Sequence, residues 1–371
     1  MTTSITAPPR HAAALVLSWL RERFRSILKG FGRHRTIYAI ALATYAAGMI
    51  QSRLLGEEVS LGLSLIAGGL VLLVAACVVS IWLFADLVRL WRSGYAGSPS
   101  RAIADSLFNH ILTPGRIANG FHAFIATSFF AVGFTAMKSN IPGVNPFSWD
   151  EAFMAMDRAL HFGILPHEIL APLFQHPLVT LGVNFIYNSW FLMLTGFYLW
   201  QGFRDRDTAL RQQFFISYFL CWAIGTNLLG TIFASAGPCF YGRLVPGPDP
   251  YAGLMTYLGQ VNASYPVWAL NAQEKLWESY VSSKGAISGI SAMPSMHVGT
   301  TVIFFLCARA SGKRWLTWLT GLFLVMIPIG SVVLAWHYAV DGYAGALIAL
   351  ACWWLAGRWV RRNPPVSSRP S

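Results

Sequence analysis

The sequence predicts an all-α protein that crosses a membrane about eight times. Hydrophobic residues make up 55% of its 371 residues and charged residues only 11%, whereas charged residues are about 25% of an ordinary soluble domain. The apolar residues form continuous runs that are long enough to span a bilayer as helices, without the alternating pattern of membrane β-barrels. This composition excludes a soluble enzyme and a disordered chain, and it makes membrane lipids the expected surroundings.

Eight apolar stretches are the predicted spans, and their flanking charges predict the orientation. The stretches are residues 36–52, 60–85, 117–137, 178–200, 213–234, 295–310, 315–335 and 339–360. When the spans alternate in direction, most of the 27 Lys and Arg residues fall on one side; the exceptions are Arg53, Lys138, Arg158, Arg243, Lys275 and Lys284. Because basic residues are retained in the cytoplasm, both termini are predicted to be cytoplasmic. The formal net charge of +12 therefore reflects orientation, and we expect no nucleic-acid partner.

The basic N-terminal segment, residues 1–35, is predicted to be an amphipathic arm. Apolar residues recur there at steps of three and four among arginines, as in Leu17, Leu20, Phe24 and Ile27. This pattern is typical of a helix that lies on an anionic inner leaflet, and a helix that packs against other cytoplasmic loops would show it too. The five cysteines form no Cys-x-x-Cys pair, so we expect neither a disulfide framework nor a zinc cluster.

Two long loops, residues 138–177 and 235–294, are predicted on the outer side. The first contains Ser148-Trp149-Asp150-Glu151, which fits a capping box with Ser148 as the N-cap. A short amphipathic helix is therefore predicted at the outer interface, ending near Pro166. The residues of its apolar stripe are Trp149, Phe153, Met156 and Leu160.

Two histidines and an aspartate emerge at span ends on the outer side, and they are the candidate catalytic residues. His297 follows Ser295, which is a natural N-cap of the sixth span. His297 then lies in a first helical turn, whose free backbone N–H groups favour phosphate. His337 and Asp341 are four residues apart between the last two spans, so the carboxylate can accept a hydrogen bond from the imidazole. Ionisable groups in such apolar surroundings indicate a functional site.

The motifs Pro294-Ser295-Met296-His297 and His337-Tyr338-Ala339-Val340-Asp341 resemble the two histidine motifs of the type 2 phosphatidic acid phosphatase superfamily. The form Pro-Ser-x-His followed by His-Tyr-x-x-Asp is most similar to the inositol phosphorylceramide synthase branch. The resemblance covers residues 140–360 and implies a six-helix core with its site on the outer face, to which the first two spans are additions. Two further segments resemble that branch and supply the substrate-binding candidates Tyr187, Asn188 and Tyr241.

Four segments are accordingly predicted: the amphipathic arm (1–35), N-terminal transmembrane helices (36–137), a catalytic core (138–360) and a flexible tail (361–371). The superfamily motif Lys-x6-Arg-Pro is not found, and Gly330 and Ser331 stand where the second histidine motif usually opens with Ser-Arg. The candidate phosphate-binding residues are therefore Ser295 and the two outer basic residues nearest the motifs, Arg243 and Lys284.

The resemblance implies an integral membrane enzyme that needs no metal or other cofactor. His337 would attack phosphorus to give a phosphohistidine, Asp341 would orient His337, and His297 would transfer protons. The expected partners are a lipid phosphate or phospholipid donor and a polyol or sugar acceptor, in a bacterial inner membrane with the site facing the periplasm or exterior. Hydrolysis by water stays open beside transfer, as do a 2-His-1-carboxylate metal site and a lipid transporter without chemistry.

Overall fold

The structure, a computed structural model, describes residues 10–57, 59, 62–206, 208–282 and 289–364. Within these residues the regular structure is helical and contains no strand, which confirms the all-α prediction. The α-helices are α1 Arg10–Leu55, α2 Gly62–Arg92, α3 Pro99–Ser106, α4 Pro114–Ser139, α5 Ile141–Val144, α6 Asp150–Leu160, α7 Pro166–Phe174, α8 Pro177–Gly202, α9 Thr208–Trp222, α10 Gly230–Ile232, α11 Tyr241–Leu244, α12 Ala252–Ser264, α13 Trp268–Ser282, α14 Met296–Ala310, α15 Arg314–Val333 and α16 Ala339–Arg362. Two π-helical segments, Leu107–Ile111 and Ala223–Leu229, and a 3-10 turn at Pro238–Phe240 lie between them.

Six helices in the described residues are long and apolar enough to cross a membrane, as expected of an integral membrane protein. They are Val71–Arg92, Pro114–Ser139, Pro177–Gly202, Thr208–Ile232, Arg314–Val333 and Ala339–Arg362. The other two predicted spans differ from these. Residues 36–52 belong to α1, which continues without a break from the predicted arm, and residues 295–310 correspond to α14, an apolar helix of 15 residues. The six spans are thus supported, while the count of eight and the cytoplasmic termini stay predictions.

Helix α14 lies at the centre of the bundle, where it contacts α8, α9, α15 and α16. Its contact with α16 depends on two glycines. A Cβ atom at Gly299 would lie 2.9 Å from the carbonyl oxygen of Gly345, and a Cβ atom at Gly345 would overlap the carbonyl oxygen of Ser295. Because glycine has no Cβ, the two backbones can approach this closely. The start of α14 is thereby held against the start of α16.

The N-terminal helix α1 packs against α4 and against α9 of the bundle. Helix α1 packs along α4 at Gly48 and Gly133, where either added Cβ would collide with the opposite backbone. Polar groups follow along the same seam. The imidazole rings of His34 and His122 stack with 4.4 Å between centroids, and the fully buried Arg211 of α9 donates a hydrogen bond of 2.7 Å to the carbonyl of Asn119.

The amphipathic helix predicted on the first outer loop is present as α6, but its ends and its buried face differ from the prediction. The capping box is wrong: Trp149 occupies the N-cap position, and no side chain caps the helix there. The helix ends at Leu160, and Pro166 starts α7 because proline is well suited to a first helical turn. Two members of the predicted apolar stripe, Met156 and Leu160, are exposed, and the buried residues are Asp150, Phe153 and Asp157.

Candidate active site

His337 lies in the short turn between α15 and α16, and its hydrogen bonds define its tautomer. The turn is closed by the amides of Trp336 and His337, which both donate to the carbonyl of Ser331. The Nδ1 atom of His337 is 2.9 Å from the carbonyl oxygen of Ala292. Because a carbonyl can only accept, Nδ1 carries the proton and Nε2 keeps a free lone pair. A neutral imidazole with a free Nε2 is a competent nucleophile.

Asp341 connects the two histidine motifs. Its Oδ2 atom lies 3.4 Å from Nδ1 of His337, farther than the Ala292 carbonyl oxygen at 2.9 Å, and accepts the amide of Tyr338 at 3.0 Å. The backbone carbonyl of Asp341 accepts the amide of Ser295 at 2.9 Å, across the close contact of α14 with α16. The carboxylate is completely buried. It can therefore stabilise positive charge that develops on the His337 ring, with little screening by water.

His297 is the second residue of α14 and lies between aromatic rings of α8. Its ring stacks on Tyr187 with 4.9 Å between centroids and lies 4.3 Å from the centroid of Trp190. Trp190 also donates its indole N–H to the backbone carbonyl of His297 at 3.1 Å. The centroids of His297 and His337 are 6.2 Å apart. The two imidazole rings, which are 40 residues apart in the sequence, are therefore neighbours in the fold.

Lys138, at the end of α4, is a cation near this pair that the sequence analysis did not select. It is within electrostatic range of His297, and its aliphatic stem and backbone pack against Gly289 at the start of the segment that carries the first histidine motif. A signal for it exists in the sequence. Six residues separate Lys138 from Asn145-Pro146, so the Lys-x6-Arg-Pro spacing is present with asparagine in place of arginine.

Ser295 and Asn227, beside the first histidine motif, have buried polar groups without a hydrogen-bond partner in the described part of the chain. Ser295 is the N-cap of α14, as predicted, but its hydroxyl caps no backbone amide. Asn227 is buried in the π-helical segment that packs on Pro294 and Met296 through Gly225, and both atoms of its amide group lack a partner. Buried polar groups are rarely left unpaired, so these two point to a ligand or water that binds here.

No contact joins the other described candidates to either histidine ring, and one candidate lies outside the described residues. The guanidinium of Arg243 is exposed, pairs with Glu274 at 2.7 Å and lies 4.9 Å from the ring centroid of Trp277. Asn188 donates to the backbone carbonyl of Asn184 on the same helix. Tyr241, itself in the outer loop, is buried in a cluster that contains Tyr251, Met293 and Tyr338. Lys284 falls outside the described residues, so its place is a prediction only.

Burial perturbs the ionisable groups of the outer loop beside the site. It raises the pKa of Asp150 and of Asp157 above the ordinary range, and the hydrogen bonds that both carboxylates accept oppose this rise. The pKa of Tyr338, which adjoins His337, is also raised, first by burial and then by the charge of Asp150. Among the described residues, no group of three or more His, Cys, Asp and Glu side chains is arranged to hold a metal ion.

A sequence profile for the PAP2 superfamily, the type 2 phosphatidic acid phosphatases, matches residues 151–355, more than half of the chain. The chain belongs to the PAP2 superfamily. The matched region begins in α6, contains both histidine motifs and ends in α16, so α1 to α5 precede it. Members of the superfamily are generally phosphatases or phosphotransferases. Comparisons with curated proteins and with solved structures found no match.

Proposed function

We propose that this protein is an integral membrane lipid phosphotransferase similar to inositol phosphorylceramide synthases. It moves a phosphoryl group or a phospho-headgroup from a lipid donor to a hydroxylated acceptor such as a cyclitol or sugar. The observation that carries the proposal is the hydrogen bond from His337 Nδ1 to the Ala292 carbonyl, because it leaves the Nε2 lone pair for attack on phosphorus. Membership of the superfamily supports the class of reaction.

The reaction proceeds in two displacements. In the first, Nε2 of His337 forms a bond to phosphorus while the bond from phosphorus to the leaving oxygen breaks, and His297 gives that oxygen a proton. Asp341 stabilises the positive charge on the His337 ring. In the second, His297 takes the proton of the acceptor hydroxyl, whose oxygen attacks phosphorus as the N–P bond breaks. His337 is then neutral again, and His297 is again protonated.

The phosphate oxygens carry the negative charge of the transition state, and groups at the start of α14 stabilise it. The free backbone amides of the first turn and the positive end of the helix dipole favour an anion at this position. Lys138, which is within electrostatic range of His297, is the proposed cation at this position, and Ser295 and Asn227 supply unpaired polar groups. Arg243 and Lys284 are further proposed contacts. Arg243 would have to leave Glu274 to reach the phosphate.

A lipid phosphate phosphatase is the second candidate, since water in place of the alcohol uses the same three residues. Transfer is favoured by the resemblance to the synthase branch and by the aromatic outer loop, where Tyr241 packs edge-on against Tyr251 at 5.6 Å. Aromatic faces suit the apolar faces of a ring-shaped polyol. The donor would be a lipid of a bacterial inner membrane, with the site facing the periplasm or exterior.

The experiment uses the purified protein in mixed micelles with phosphatidic acid or phosphatidylinositol as donor, with and without saturating myo-inositol. Products are separated by thin-layer chromatography and identified by phosphorus NMR. The transferase proposal expects a new phosphoester that appears only with the polyol, and it fails if only free phosphate or a free phospho-headgroup is released. Activity is expected to survive EDTA; loss that a divalent ion restores would overturn the metal-free mechanism. His337→Ala is the negative control.

A further inference from the structure

The buried face of α6 carries two carboxylates, Asp150 and Asp157, that the proposed chemistry does not use. Each is 2% exposed, and neither forms a salt bridge with a described Lys, Arg or His. Burying a carboxylate is costly unless hydrogen bonds compensate it. In both residues those hydrogen bonds come from the turn and helix that carry His337 and Asp341, or from the loop that packs against them.

Asp157 holds the start of α16. Its two carboxylate oxygens accept the amides of Ala339 and Val340, at 2.8 and 2.9 Å. These are the first two residues of α16, and their N–H groups have no partner within the helix. A negative charge at this end also interacts favourably with the helix dipole. Asp341 belongs to the same first turn of α16. The hydrogen bonds from Asp157 therefore help to fix the position of the Asp341 carboxylate.

Asp150 holds both sides of the His337 turn. One of its oxygens accepts the hydroxyl of Tyr338, the residue next to His337, at 2.9 Å. Its oxygens also accept the amides of Ala236 and Gly237, at 2.9 and 2.8 Å. The preceding carbonyl, that of Ser235, accepts the amide of Ala292. Ala292 is in turn the acceptor for His337 Nδ1, so Asp150 supports the group that sets the His337 tautomer.

We propose that Asp150 and Asp157 are positioning residues, through which α6 holds the His337 ring and the Asp341 carboxylate in their reactive arrangement. Two segments that are distant from α6 in sequence meet there: the loop at 235–237, and the continuous stretch that ends the His337 turn and begins α16. The backbone of those segments sets the direction of the His337 ring, and a misplacement of about 1 Å at a reacting centre can cost about 10²-fold in rate. The inference rests on the proposed function for its kinetic readout.

The test compares Asp157→Asn and Asp150→Asn with the matched variant Asp249→Asn. Asp249 is also an outer-loop carboxylate that accepts a backbone amide, that of Tyr251 at 2.8 Å, but no hydrogen bond joins it to α16 or the His337 turn. In micelles, with phosphatidic acid as donor, each α6 variant is expected to lower kcat by about 10²-fold with KM within about twofold. Asp249→Asn is expected to stay within about twofold of wild type in both. Asp157→Glu, which keeps the charge, is expected to recover part of kcat.

A second readout needs no turnover. The rate at which diethyl pyrocarbonate modifies His337, followed by mass spectrometry, reports whether the ring is still held at Ala292. It is expected to rise in both α6 variants and to stay unchanged in Asp249→Asn. Thermal melts and gel filtration establish whether each variant is folded. If Asp150→Asn is not folded, Tyr338→Phe is used in its place.

The outcomes separate the two proposals. Folded α6 variants with kcat and a His337 modification rate like those of wild type would overturn the positioning role. So would a loss of activity that only matches a loss of folded protein. If wild type and His337→Ala are equally inactive on every lipid phosphate, the proposed function fails, and the modification rates still decide whether α6 positions His337.

Discussion

The substitution Gly345→Ala tests whether the close contact of α14 with α16 sets the catalytic geometry. Ordinary contact of a Cβ atom begins at 3.4 Å, and a Cβ at Gly299 would already be 2.9 Å from the opposite carbonyl oxygen. A Cβ at Gly345 would be closer still to the carbonyl of Ser295, so the helices must separate by more than about 0.5 Å. That carbonyl belongs to the N-cap of α14, two residues before His297. Overpacking of this kind costs roughly 1–3 kcal/mol, and the displacement is expected to lower kcat by about 10²-fold.

The assay measures phosphate transfer or release from phosphatidic acid in micelles, beside a thermal melt of the same sample. Gly182→Ala on α8 is the control, because a Cβ there would meet nothing within 4 Å. Alanine is the better helix former by roughly 0.5–1 kcal/mol, so this variant is expected to be as stable as wild type or more so, with unchanged kcat. If Gly345→Ala is folded and keeps kcat within about twofold of wild type, the contact does not determine the position of the catalytic groups.

Three further predictions concern the site and its orientation. His337→Ala is expected to abolish both turnover and covalent labelling from a phosphorus-32 donor. His297→Ala is expected to slow the departure of a poor leaving group far more than that of a good one such as p-nitrophenolate. Equal slowing of both would refute the role of His297 as the general acid. Lys138→Met is expected to lower kcat/KM by at least tenfold, since a charge-assisted contact contributes roughly 1.5–3 kcal/mol, and an unchanged kcat/KM would remove Lys138 from the phosphate site. A cysteine that replaces Asp249 is expected to react with an impermeant thiol reagent added outside, and one that replaces Asp205 is not; the reverse would turn the site towards the cytoplasm.

The sequence alone was sufficient for the parts of the site that are coded by short spacing. The four-residue spacing of His337 and Asp341 brings the two side chains within 3.4 Å across the start of α16, and Ser295 occupies the N-cap position of α14, as the pattern predicts. Lys138 was not predicted as a site residue, because Asn145 stands where the motif has arginine. The spacing and Pro146 were intact, so a search that tolerated one substitution would have found it.

Other features could not be read from the chain because their partners are distant in sequence. The pattern of α6 predicted its charged residues on the solvent side. Asp157 is instead buried, and its carboxylate accepts the amides of Ala339 and Val340, which are 182 and 183 residues away in the sequence. The predicted cap Ser148 has the right local pattern, but its amide donates instead to the carbonyl of Ala234, and the helix begins two residues later. Local propensity is overridden wherever tertiary hydrogen bonds compete for the same backbone groups.

The length of the central helix α14 determines how deep in the membrane His297 lies. A helix of 15 residues is about 22 Å long at ~1.5 Å per residue, whereas the hydrocarbon layer is about 30 Å thick. If the Arg309 end of α14 is level with one boundary of that layer, the start of the helix lies about 8 Å inside the other, and His297, the second residue of the helix, lies about 10 Å inside it. The phosphorus atom of a lipid substrate must then sink below the plane of its neighbouring headgroups, while its hydrocarbon tails never leave the bilayer. Local thinning of the membrane around α14 would shorten that descent, so the rate should rise in bilayers of shorter acyl chains.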